Sequence, residues 1–398
     1  MIEVERSWED LTDWQRSLRE QFPIITAHPD LAYLDSAATS QKPRAVLEAV
    51  REYLVGGNAN AGRGTYPWAN ATTAMVERAR ERVKAFLGDP EPGRSSVHFV
   101  SGTTEGLRRI ALDWLTELLD DGDEIVAPFA DHQANLSPWL EARDALARRG
   151  VGVRVVEMPR QAGSGDYDTE ALAGVVGPRT RFVALTHVHH VYGSDMNVHR
   201  VREAVGPDAV VCLDAAQSVG HLPVSVAELD VDFVVFSGHK ALALPGTGAV
   251  WARRARGPRF SPSGWDGTPN TVGIASLATA LDWLDAAGLE RIDRWCAGLA
   301  ARLTEGLLEL AAFEVLGCQL SLAGDSPVQR RASIVAFRHE RIDSGDLGFV
   351  LYSHGFMVRS DSHCQAGAEP GDGSVRVSLH VYNTVEEVDG LLAVLREL

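Results

Sequence analysis

Short, uninterrupted apolar runs alternate with amphipathic stretches along the first two thirds of the chain. Residues 97–100, 124–127, 153–156, 181–185, 209–213 and 233–236 read as buried strands, with helical patterns between them. One such helix is explicit: Met75, Ala79, Val83, Phe86 and Leu87 recur at helical spacing, and Gly88 follows as a stop. Strands apolar on both faces, each followed by a helix, require a mainly parallel sheet covered on both sides. The pattern runs from about residue 31 to 265. From about Thr268 it changes to helices with few strands: 281–310 is amphipathic, and 333–337 and 375–379 are strand candidates. A single core rarely grows past roughly 250–300 residues, and the chain has 398. We therefore expect an α/β domain over 31–267, a smaller α+β domain over 268–398, and an N-terminal segment, 1–30, packed with the smaller one.

Charge and cysteine usage narrow the function. The net charge is −16, whereas a nucleic-acid binder needs a clustered basic face. Arg78, Arg80 and Arg82 stand beside Glu77 and Glu81 and read as a solvated helix face. The acidic start lacks the apolar stretch of a signal peptide, and no run of 18 apolar residues offers a membrane span. Cys212, Cys296, Cys318 and Cys364 are widely spaced, without a C-x-x-C pair. The expectation is a cytoplasmic protein with no nucleic-acid partner, no membrane partner and no metal.

In open α/β sheets the ligand lies beyond the carboxyl ends of the strands, so the residues following each run matter most. Ser101-Gly102-Thr103-Thr104-Glu105-Gly106 opens a helix; it suits either a phosphate or an ordinary N-cap. His132, after 124–127, is a loop histidine that either lies flat on an aromatic cofactor or is simply solvated. Asp214 ends an apolar strand, where a carboxylate is costly without a partner. It is either a helix cap or the partner of a protonated pyridine nitrogen, which would keep that ring an electron sink. Gln217 is placed to donate to a ring oxygen. Lys240 closes Ser237-Gly238-His239-Lys240 after a buried strand, and its amine suits Schiff-base chemistry if desolvation lowers its pKa. Ser237 and His239 are phosphate candidates. Arg359 and Arg376 bracket Cys364, and arginines suit a substrate carboxylate. This set points to a pyridoxal 5′-phosphate (PLP) enzyme with the cofactor on Lys240.

The ordered motifs resemble a known family. Tyr33-Leu34-Asp35-Ser36-Ala37-Ala38, Gly102-Thr103-Thr104-Glu105, His132 with Ala134-Asn135, Asp214-Ala215-Ala216-Gln217, Ser237-Gly238-His239-Lys240, Gly267-Thr268-Pro269-Asn270-Thr271, Arg376-Val377-Ser378-Leu379 and Tyr382-Asn383-Thr384 together resemble the class V aminotransferase group of fold-type I PLP enzymes. They are most similar to its cysteine desulfurase/selenocysteine lyase branch. The resemblance implies a seven-stranded, mainly parallel sheet in the large domain. It implies Lys240 as the Schiff-base lysine, Asp214 at the pyridine nitrogen, Gln217 at the ring oxygen and His132 stacked on the ring. Thr103, Thr104, Ser237 and His239 then hold the phosphate, with Thr268 contributed by a second subunit and hence a homodimer. Arg359 and Arg376, with His190 near the ring, bind the substrate, and Cys364 takes sulfur as a persulfide for a possible acceptor protein.

Departures from the family fall around the substrate. Asp361-Ser362-His363-Cys364 replaces the usual Gly-His-His-Cys, and the stretch after Cys364 is Gly-rich and shortened. His190 stands where asparagine is usual and Gly62 where histidine is common, and the step from Trp251 to Gly267 is short. Two readings follow. One is a cysteine desulfurase that gives alanine through a Cys364 persulfide. The other is a C–S β-lyase on cysteine conjugates, or an amino-acid epimerase of secondary metabolism, neither needing Cys364.

Overall fold

The computed structural model describes residues 8–62, 64–254, 260, 268–317, 331–369 and 373–398. Cys318, Gly267, most of the step from Trp251 to Gly267, and Pro370 to Asp372 lie outside the described residues, as does the acidic start.

Thirteen strands are described: β1 (Ala32–Tyr33), β2 (Ser95–Val100), β3 (Glu124–Ala127), β4 (Arg154–Glu157), β5 (Thr180–Thr186), β6 (Val210–Asp214), β7 (Phe233–Ser237), β8 (Gly248–Arg253), β9 (Phe313–Val315), β10 (Ile334–His339), β11 (Phe356–Met357), β12 (Arg359–Asp361) and β13 (Ser374–Ser378). The large sheet has seven strands in the order β2-β8-β7-β6-β5-β3-β4, and only β8 runs against the rest. Alternate side chains feed two cores. Val183, Leu185, Val211, Leu213, Val234 and Phe236 pack on one face, and Phe182, Ala184, Val210, Cys212, Phe233 and Val235 on the other. Burial on both sides explains why these strands read as continuous apolar runs. Each of the Val, Leu and Phe side chains among them contributes about 1.5–3 kcal/mol when removed from water. The apolar run of β8 went unread.

β2, β3, β5, β6 and β7 end at one edge of this sheet, and β8 begins there, with Gly248 beside Val100 and Ser237. A Cβ on Gly106 would lie 2.5 Å from Val235 Cγ1, so a glycine lets helix Thr103–Arg109 rest on β7.

The second sheet, β12-β13-β10-β9, is antiparallel, and β1 pairs with β11. The amphipathic run at 281–310 is not one helix. It is Thr271–Ala287 and Leu289–Leu308, bent by 78° at Gly288, whose φ of +90° takes the backbone out of the helical region. The first of the two lies on helices Arg44–Gly56 and Pro67–Phe86 of the large unit. Helix Thr12–Arg19 reaches the C-terminal part: Gln15 donates to the carbonyls of Val381 (2.8 Å) and Asn383 (3.1 Å), and Arg19 pairs with Glu387 at 2.8 Å. No single described helix is long and apolar enough to cross a membrane.

Candidate active site

A cavity of about 260 Å³ opens at the carboxyl edge of the large sheet. Its wall contains Thr103, Thr104, His132, His190, Asp214, Gln217, Ser237, His239, Lys240, Arg359 and Arg376. Cys364 and Thr268 lie outside that wall and are exposed.

The floor comes from β6 and β7. Asp214 is buried, and its Oδ1 accepts the Ala216 N–H at 2.9 Å. Burial pushes its carboxyl up to about 6, against the pull of that hydrogen bond and of Lys240. Lys240 ends the turn Gly238–Lys240 directly after β7. Burial brings its amine down to about 8, with Asp214 pulling the other way and Arg376 and Arg359 adding to the fall. Gln217 donates to the Ala37 carbonyl at 3.0 Å, while its own Oε1 is buried without a partner.

At one end Thr103 meets Ser237. The Thr103 N–H donates to Ser237 Oγ at 2.9 Å, and the two hydroxyls are 2.8 Å apart. Thr104 and His239 complete this end of the wall. Across the cavity, His132 caps the turn Gln133–Asn135 by accepting the Ala134 N–H at 3.1 Å, and its ring meets that of His190 edge-on at 5.0 Å. Burial, with Lys240 and the two arginines, lowers His132 to about 4, so its ring is neutral at pH 7. His190 is buried with neither ring nitrogen partnered.

The second sheet supplies the remaining wall. Arg359 and Arg376 are direct neighbours across β12 and β13. Arg376 is buried; it donates to the His190 carbonyl at 3.0 Å and to Asp35 at 3.1 Å, and its Nε has no partner. Arg359 reaches Cys364 Sγ with Nη2 at 3.5 Å. The thiol loop is clamped to the His132 loop. Gln133 N–H donates to the Cys364 carbonyl at 3.1 Å, Ala366 N–H to the Asp131 carbonyl at 2.7 Å, and the Gln365 amide to the Ala130 carbonyl at 3.0 Å. Cys212 and Cys296 are buried, and burial pushes both thiols up.

Sequence reasoning assigned no role to Asp35, Thr186 or Val188. Thr186 and Val188 line the cavity, as does His363. Asp35 reaches Arg376 across 341 positions, a separation at which no local pattern marks a pair. Thr186 was in principle readable, because it ends β5 beside Asp214.

The residues fit PLP on the structure's own terms. A buried acid faces the cavity floor beside a desolvated lysine, two hydroxyl residues meet at one end, and buried donors and acceptors in the wall lack partners. Sheet order and site together define a fold-type I PLP architecture. The chain belongs to the aminotransferase class-V family, whose model matches residues 32–391, and membership implies PLP as cofactor. It is 32% identical to a probable cysteine desulfurase of Vibrio cholerae, over 96% of this chain and 97% of that protein. It is 31% identical to the cysteine desulfurase CsdA of Escherichia coli, over 94% and 95%. The solved apo structure of a cysteine desulfurase from Thermococcus onnurineus superposes with a TM-score of 0.84 at 28% identity, covering 96% of this chain and 97% of that one.

Proposed function

We propose that the protein is a PLP-dependent cysteine desulfurase, which moves the sulfur of L-cysteine onto Cys364 and leaves alanine. The observation that carries this reading is the placement of an exposed cysteine on a loop clamped to the rim of a lysine–aspartate cavity, with Arg359 in contact with both. The cysteine desulfurases to which the chain is similar support it.

Lys240 would carry the cofactor, Asp214 its ring nitrogen, Gln217 its ring oxygen, and Thr103, Thr104, Ser237 and His239 its phosphate, with His132 against the ring. When bound, the cofactor draws electrons from the α-carbon of the amino acid. Arg376 holds the substrate carboxylate, and Lys240 Nζ, whose affinity for a proton burial lowers, takes the α-proton. The Cys364 thiolate attacks the substrate sulfur. An S–S bond forms as the substrate's carbon–sulfur bond breaks, its electron pair stays on carbon, and protonation there completes alanine.

A homodimer belongs to this reading. Leu54, Val55, Tyr66 and Trp68 expose apolar surface on and beside helices Arg44–Gly56 and Pro67–Phe86, and the exposed Thr268 is free to serve a neighbouring cavity. The sulfur then passes to an acceptor protein or to a small thiol.

Intact-mass measurement after adding L-cysteine to the PLP-loaded protein tests the proposal. Cys364 should gain one sulfur atom, and Lys240→Ala should lose both that gain and the visible absorbance of the lysine-bound cofactor. Turnover with no sulfur on Cys364 would favour the β-lyase reading instead.

A further inference from the structure

Arg359 lines the cavity, yet its fork is already occupied. Nε donates to both carboxylate oxygens of Asp361 at 3.0 Å, and Nη2 lies 2.9 Å from Oδ2. Nη2 also points at Cys364 Sγ, 3.5 Å away. This is the bidentate geometry in which arginine holds a substrate carboxylate, here filled by the chain itself two residues on.

Asp361 is in turn anchored. Its Oδ1 accepts the His363 N–H at 2.6 Å and lies 3.1 Å from His363 Nδ1. The backbone it supports is unusual, for His363 and Cys364 both lie in the left-handed region, with φ of +56° and +59°. That conformation is costly for side-chain-bearing residues. It is held by the Asp361 acceptor, by His363 Nε2 against Ser374 Oγ at 2.8 Å, and by Gln133 donating to the Cys364 carbonyl. Arg376, by contrast, keeps a buried Nε with no partner.

We infer that Asp361 is a positioning residue that fastens Arg359 to the thiol loop, leaving the substrate carboxylate to Arg376 and making Arg359 the cation that serves Cys364. The inference rests on the desulfurase reading in giving the thiol a role. A substrate carboxylate can take Arg359 only by displacing a tethered competitor, whose effective concentration is high. Arg359 is thereby held with Nη2 donating to Cys364 Sγ, 3.5 Å away. The two neighbouring arginines therefore divide the work rather than forming one clamp.

Alkylation of Cys364 by iodoacetamide, followed by peptide mass in the full-length protein, tests this without cofactor or turnover. Arg359→Gln should slow the reaction about fivefold in the native background, the upper end for a half-exposed charge contact. In the Asp361→Asn background the same change should have an effect below about twofold. Asn still offers an oxygen to the His363 N–H, so the turn persists while the bidentate hold on Arg359 is lost. Equal slowing in both backgrounds, or none in the native one, overturns the inference. In the PLP-loaded protein, Arg359→Gln should leave L-alanine affinity within about twofold, while Arg376→Gln weakens it about tenfold or more. A tenfold loss with Arg359→Gln also overturns it. Failure of desulfuration with the alkylation pattern intact would sink the functional reading and spare this one.

Discussion

Asp214 combines a strand end, a buried position and a proposed cofactor role, and replacing it with asparagine separates these effects. The exchange keeps shape and leaves an oxygen for the Ala216 N–H, which lies 2.9 Å from Oδ1, but removes the charge. In the protein without cofactor, burial carries the carboxyl from 3.8 to about 6. Its ionised form is therefore held about 3 kcal/mol above the unfolded reference, at 1.36 kcal/mol per pKa unit. A carboxyl raised in the folded state binds its proton more tightly there, so this group lowers stability as pH rises from about 4 to about 6, with a constant penalty above. Apo Asp214→Asn should thus be more stable than the native apo-protein at pH 7 to 8, by up to about 3 kcal/mol, and the gap should close toward pH 4. With PLP the order should reverse, because the ring nitrogen loses its anion. Urea unfolding of both apo-proteins across that range measures the gap. A variant less stable at pH 7, or a gap independent of pH, would refute the electrostatic account of this position.

Two further changes test the scaffold. Leu213→Ala removes a fully buried side chain from β6 and should cost about 2–5 kcal/mol in urea unfolding. Gly106→Ala forces a Cβ to within 2.5 Å of Val235 Cγ1 and 2.9 Å of Val250 Cγ2. It should cost about 1–3 kcal/mol and weaken PLP binding, measured by equilibrium dialysis, because Thr103 and Thr104 open the same helix.

The large sheet was legible because its inner strands are buried on both faces and so appear as apolar runs, and a polar residue at or just after the end of such a run is conspicuous. Asp214 and Lys240 stand out for that reason. β8 escaped notice because its run sits close behind Lys240 and carries no such residue at its end. The bend at Gly288 was hidden because apolar positions continue on both sides and only the backbone angle breaks the helix. The Asp35–Arg376 pair depends on a contact between distant segments, and the Arg359–Asp361 pair on which way a fork turns within three residues. No periodicity records either. Asp361 was visible as a departure from the resembled family, but its hold on Arg359 depends on side-chain orientation, which sequence does not record.

Product analysis of the PLP-loaded protein with L-cysteine and a reductant tests sulfur transfer from cysteine to Cys364. Alanine and sulfide should form in equal amounts and be lost in Cys364→Ser. Pyruvate and ammonia in place of alanine, undiminished in that variant, would contradict it.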